Sequence, residues 1–150
     1  MFECLILGDS LGVGLHMKRP ECVAQVKGGI NSWQFNKQYP GEFFSNTVII
    51  SLGSNDHKHI KTRSELEALR KRITVKDKVF WILPAGNLKA SGVKIEDINS
   101  IVIDIAEKNG DRVVSPHPKY MSKDGIHPTG TGYEWLAFFT RGHSNNKEQK

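Results

Sequence analysis

Five apolar runs, each closed by glycine, proline or a polar turn, constrain the fold more than any other feature of the chain. Glu3 to Gly8 runs into Gly-Asp-Ser, Cys22 to Lys27 into Gly-Gly, and Asn46 to Leu52 into Gly-Ser-Asn; Asp77 to Leu83 stops at Pro84, and Arg112 to Ser115 at Pro116. Runs that are continuously apolar suit strands covered on both faces, as in a parallel sheet. Between them lie helical patterns. Leu66, Leu69 and Ile73 share one face after a Thr62/Glu65 pair with capping-box spacing. Ile95, Ile98, Val102 and Ile105 form a second stripe, ended by Asn109-Gly110. Tyr133 to Phe139, carrying Trp135, Leu136 and Phe139, supplies a third, and Asn31 to Tyr39 a fourth, weaker one. Strands and helices that alternate along a whole chain predict a three-layer α/β/α sandwich around a five-stranded parallel sheet.

The length of 150 residues fits one domain over 1–141, with polar residues 142–150 reading as a disordered tail. No apolar run approaches the roughly 20 residues that cross a bilayer. Cys4 and Cys22 fall within strand-like runs and are too sparse for a disulfide framework, so reduced core thiols are expected. Met1 leads straight into the first apolar run without a basic leader. That predicts a cytoplasmic protein, or a leader-stripped or phage-encoded one acting on a bacterial envelope. The net charge of +5 is concentrated on Lys61, Arg63, Arg70, Lys71 and Arg72 of one helix and on Lys147 and Lys150 of the tail. A solvated helix face accounts for it, and no aromatic-interleaved basic stripe points to nucleic acid.

In parallel sheets, reacting groups collect where the strands end. Ser10 follows the first run directly, in Gly8-Asp9-Ser10-Leu11, and a serine in a tight strand-to-helix turn presents its hydroxyl at the sheet edge. Gly12 and Gly14 are expected to let a substrate approach the backbone. Serine needs a base, and Asp124-Gly125-Ile126-His127 offers one: a carboxylate three residues before an imidazole can fold back onto Nδ1 and leave Nε2 facing the serine. Gly29, after the second run, and Asn55, after the third, could supply an N–H and a side-chain amide that join the Ser10 N–H as donors to an oxyanion.

Gly8-Asp9-Ser10-Leu11, Gly29, Gly53-Ser54-Asn55-Asp56 and Asp124-Gly125-Ile126-His127, in that order, resemble the four blocks of the SGNH (GDSL) hydrolase family. The resemblance spans residues 5 to about 137, Gly132-Tyr133 and Leu136-Ala137 being similar to the family's final helix. It implies a flavodoxin-like fold, Ser10 as nucleophile, Asp124 and His127 completing a catalytic triad, and an oxyanion hole of Ser10, Gly29 and Asn55. Gly29 fits better than Gly28 because it precedes Ile30-Asn31-Ser32, similar to the family's Gly-Ile-Ser pattern. Gly12 departs from the serine common at that position, and the chain is short for the family.

Other residues have plainer readings. Asp9 is expected to order the nucleophile turn. His57 and His59, with Asp56, His117 and His127, match no familiar zinc spacing, and Gly12-Val13-Gly14 lacks the third glycine of a dinucleotide fingerprint. Neither a metal nor an organic cofactor is expected. Trp81 reads as core, whereas Trp33 is core or a substrate-binding surface, and Asn87 borders the cleft as a loop amide or a substrate contact. The resemblance implies a serine esterase acting on a small-molecule or polysaccharide ester, with carbohydrate or cell-wall deacetylation favoured. A lipase, lysophospholipase or thioesterase is the alternative within the family, and a catalytically idle glycan- or protein-binding domain the alternative outside catalysis. Cleavage of a glycosidic bond would need a second carboxylate, for which Asp56 is the candidate by position.

Overall fold

A five-stranded, wholly parallel sheet in the order β2-β1-β3-β4-β5 forms the middle layer. The computed structural model describes residues 2–86 and 91–142, so residues 143–150 of the expected tail lie outside the described residues. The strands are β1 (Phe2–Gly8), β2 (Val23–Val26), β3 (Phe43–Ser51), β4 (Ile73–Ile82) and β5 (Arg112–Val114). The helices are α1 (Ser10–Lys18), α2 (Ser32–Gln38), α3 (Thr62–Lys71), α4 (Ile95–Asn109) and α5 (Gly130–Thr140). This is the architecture read from the alternation of strands and helices. From β1 the chain steps outward to β2 on one side, then crosses back to β3 on the other. The ends of β1 and its neighbours therefore flank the topological switch point, where open α/β sheets leave a crevice.

Each face of the sheet has its own core. Leu5, Leu7, Val48, Ile50, Val79 and Trp81 pack with Phe35 of α2, Leu66 and Leu69 of α3, and Ile98, Val102 and Ile105 of α4. On the opposite face Ile6, Ile49, Phe80 and Ile82 pack with Leu11 and Leu15 of α1 and Leu136 and Ala137 of α5. Alternate residues of one strand serve opposite faces, which is why the runs are apolar without a break.

Several local expectations are corrected. Ile73 is not on the α3 stripe but opens β4, opposite Phe43; the helix ends with the Arg72 N–H bonded to the Leu69 carbonyl, and the Arg72 carbonyl accepts from Phe43 N–H. Thr62 and Glu65 form no capping box: Lys61 is the N-cap and makes no side-chain cap bond. The Thr62 hydroxyl goes to Asp56, and Glu65 Oε1 accepts from Asn36 Nδ2. The capping box belongs to α2, where Asn31 Oδ1 accepts from Gln34 N–H and Gln34 Oε1 from Asn31 N–H. Tertiary partners outcompeted the local cap at Thr62; at Asn31 no such partner intervened.

Cys4 and Cys22 are not free thiols but form a disulfide, their Cα atoms 4.8 Å apart. Leu5 pairs with Val23 in the parallel register, so the two cysteines lie side by side at adjacent strand positions. Cysteines 18 residues apart in sequence become neighbours only because α1 returns the chain to the same edge. Gly12 and Gly14 also differ from expectation. A Cβ on Gly12 would lie 2.8 Å from Val26 Cγ1, and one on Gly14 would lie 2.2 Å from the Tyr133 ring. Both glycines let α1 pack tightly; they do not open the backbone to a substrate.

Candidate active site

Ser10 is the first residue of α1, immediately beyond β1. Asp9 caps the helix, its Oδ1 accepting from Leu11 N–H at 3.1 Å, which fixes the turn that displays the serine. Gly8 has φ +152°, and a Cβ there would lie 2.1 Å from the Ser51 carbonyl oxygen. Only glycine allows β1 and β3 to end this close together. As the first helical residue, Ser10 has an N–H without an intrahelical acceptor.

Ser10 Oγ lies 2.9 Å from His127 Nε2, and His127 Nδ1 lies 2.7 Å from Asp124 Oδ2. Asp124 Oδ1 accepts in addition from the N–H groups of Ile126 and His127, at 2.8 and 3.0 Å. The hydrogen bond from the His127 ring, followed by these two, holds the Asp124 carboxyl down at about 2 although it is solvent-exposed. The loop is fastened on both sides: Ser122 N–H donates to His127 O, and Met121 and Pro128 form an antiparallel bridge. A serine hydroxyl, an imidazole and a carboxylate in one hydrogen-bonded line can move the serine proton to Nε2 while the carboxylate keeps the other proton on Nδ1.

The expected oxyanion donors stand at the neighbouring strand ends. Gly29 is exposed with φ +79°, and nothing lies within 4 Å of where its Cβ would be. Asn55 is partly buried, and its Nδ2 donates to the Ile30 carbonyl at 3.1 Å. That bond uses one of the two amide hydrogens and orients the other. Trp33 is 48% exposed, with Lys37 Nζ 5.6 Å from its ring centroid, so it is not a core residue. It borders a surface depression shared with His59, Ile60, Lys61 and Glu65. Asn87 lies outside the described residues. Trp81 is core, 1% exposed, and its Nε1 donates to Asp111 Oδ2 at 3.0 Å.

Neither a family model nor a curated protein matches the chain. Solved structures do. A GDSL-like lipase from Bacteroides thetaiotaomicron superposes with a TM-score of 0.67 at 18% identity, over 93% of this chain and 85% of that one. A member of the lipolytic G-D-S-L family from Veillonella parvula gives 0.69 at 11% identity, over 97% and 99%. The C-terminal catalytic domain of Streptococcus pneumoniae peptidoglycan O-acetyltransferase A, solved with a methylsulfonyl adduct, gives 0.63 at 15% identity, over 99% and 94%.

The fold is that of the SGNH hydrolases.

Within this SGNH fold, Asp56 has surroundings that the sequence reading did not anticipate. Asp56 is 2% exposed and accepts from Ser32 N–H, Ser32 Oγ and Thr62 Oγ1. It is enclosed by donors from its own fold and does not face a substrate, which removes the second carboxylate that a glycosidic reaction would require. The only signal in the sequence was a pair of hydroxyl residues, Ser32 and Thr62, far apart in the chain.

Proposed function

We propose that this protein is a serine esterase that hydrolyses an acyl or acetyl ester through an acyl-enzyme on Ser10. The observation that carries the reading is the unbroken line Ser10 Oγ, His127 Nε2, His127 Nδ1, Asp124 Oδ2, at 2.9 and 2.7 Å. As Ser10 Oγ attacks the ester carbonyl carbon, His127 takes its proton, and the carbonyl oxygen gathers negative charge between the Ser10 and Gly29 N–H groups and the free Asn55 amide hydrogen. When the C–O bond breaks, His127 passes the proton to the departing alcohol. Water then repeats the sequence on the acyl-enzyme and releases the acid. Each oxyanion donor of this kind contributes about 2.7–4 kcal/mol to transition-state stabilisation.

A carbohydrate or cell-wall ester is the substrate class we favour. Exposed Trp33 offers an aromatic face to a sugar ring, and the peptidoglycan O-acetyltransferase domain is one of the chains that share this fold. The Cys4–Cys22 disulfide suits an oxidising compartment and so favours action at a bacterial envelope over the cytoplasm. The test is release of p-nitrophenol from acetate, butyrate and octanoate esters, beside Ser10→Ala. Turnover that disappears in Ser10→Ala and falls with acyl length is expected; a rise with length would make the protein a lipase. No turnover, together with no covalent labelling of Ser10 by a fluorophosphonate, would sink the esterase reading in favour of a binding domain.

A further inference from the structure

Three hydrogen bonds converge on a carboxylate that the mechanism does not use. Asp56 Oδ1 accepts from Ser32 N–H at 2.9 Å, and its Oδ2 from Ser32 Oγ at 2.6 Å and Thr62 Oγ1 at 2.7 Å. A buried carboxylate needs hydrogen-bond donors, and Ser32 and Thr62 supply three here. Ser32 belongs to the segment after β2 that carries Gly29, whereas Asp56 follows Asn55 at the end of β3. Asn55 grips the same segment through the Ile30 carbonyl, at 3.1 Å.

Gly29 is exposed, and nothing lies within 4 Å of where its Cβ would be. Its place is set by what fastens the residues after it: Ile30 N–H to Lys27 O at 3.3 Å, Ile30 O to Asn55, and Ser32 to Asp56. We infer that Asp56, braced by Thr62 at the start of α3, is a positioning residue that sets the Gly29 N–H and the Asn55 amide at the spacing an oxyanion needs. This inference rests on the esterase reading above. It makes Asp56 act through the two donors, without touching the substrate.

The test is a cycle of Asp56→Ala and Asn55→Ala on p-nitrophenyl acetate, with amide hydrogen exchange followed in the same proteins. In Asp56→Ala, kcat should fall on the order of 10²-fold, as for an ångström-scale misplacement of donors, with KM moving about twofold or less. In the Asn55→Ala background the same change should cost clearly less than in wild type, because only the Gly29 N–H is left for it to misplace. Asp56→Asn should recover most of the rate: its Oδ1 still accepts from Ser32 N–H, and its amide can donate to both hydroxyls. Exchange at Ser32 should speed up in Asp56→Ala while the amides of β1 and β3 stay protected. Should Asp56→Ala fail to fold, Ser32→Ala, which removes one bond to the carboxylate, carries the same cycle with a smaller effect. Additive losses in the double variant, or an unchanged Ser32 amide, would overturn the inference. If wild type neither turns over nor labels with fluorophosphonate, the esterase reading falls, and the exchange measurement alone decides whether Asp56 holds the loop.

Discussion

Burial pushes the Asp9 carboxyl up to about 7, while hydrogen bonds hold Asp124, on the far side of the same serine, at about 2. Asp9 is fully buried, and the Leu11 N–H, followed by the neighbouring Ser51 side chain, offsets only part of the cost of that burial. Because its value in the folded chain lies above the ordinary one, the folded state binds this proton more tightly than the unfolded state. Stability from Asp9 is therefore fully present below about 4 and is lost as pH rises through about 7. For Asp124 the sign is opposite: its contribution is present above the ordinary carboxylate value and is lost as pH falls through about 2. Asp9→Asn keeps the cap and lets the amide reach Ser51, so its melting temperature should exceed that of wild type at pH 8 and converge with it by pH 4. Parallel pH–Tm curves for the two proteins would refute the burial account. The sequence revealed Asp9 as a turn-ordering residue; that its carboxyl is sealed beneath the serine follows from β3, whose end closes over it.

Two elements are tied to the sheet by chemistry that periodicity does not display. The Cys4–Cys22 disulfide fastens β1 to edge strand β2, the strand that delivers Gly29. Closing a loop of this size stabilises a fold by about 3 kcal/mol in the chain-entropy picture. Reduction, or the Cys4→Ser/Cys22→Ser double variant, should therefore lower the melting temperature by several degrees, and thiol titration of the unfolded, unreduced protein should find none free. Two titratable thiols would contradict the bridge. On the opposite side of the sheet Asp111, just before β5, accepts from Arg70 of α3 and from the indole N–H of Trp81 in β4. Sequence reading assigned Arg70 to a solvated basic face and Trp81 to the core; the shared carboxylate joins the two.

The site as a whole is assembled from five separated segments, at residues 8–10, 29–32, 55–56, 62 and 124–127. The sheet brings these segments within reach of the hydrogen bonds that join them, so the site should vanish with the fold. In urea, loss of fluorophosphonate labelling at Ser10 and loss of buried-Trp81 fluorescence should follow one coincident transition. Labelling that disappears well before the fluorescence change would mean that the 115–130 loop opens independently.

What the sequence determined by itself was the architecture and the chemical groups. Unbroken apolar runs demand a parallel sheet covered on both faces, and Ser10, Asn55, Asp124 and His127 stand where such runs or their loops end, because strand ends are where a parallel sheet leaves backbone unpaired. Tertiary structure alone decided the pairings between distant segments. Whether Cys4 meets Cys22, whether Thr62 caps its own helix or bonds Asp56, and whether Gly14 faces a substrate or the Tyr133 ring depend on which strands lie side by side. Local sequence carries no record of that order, since the same runs could be laid down in other sequences of strands with equal burial.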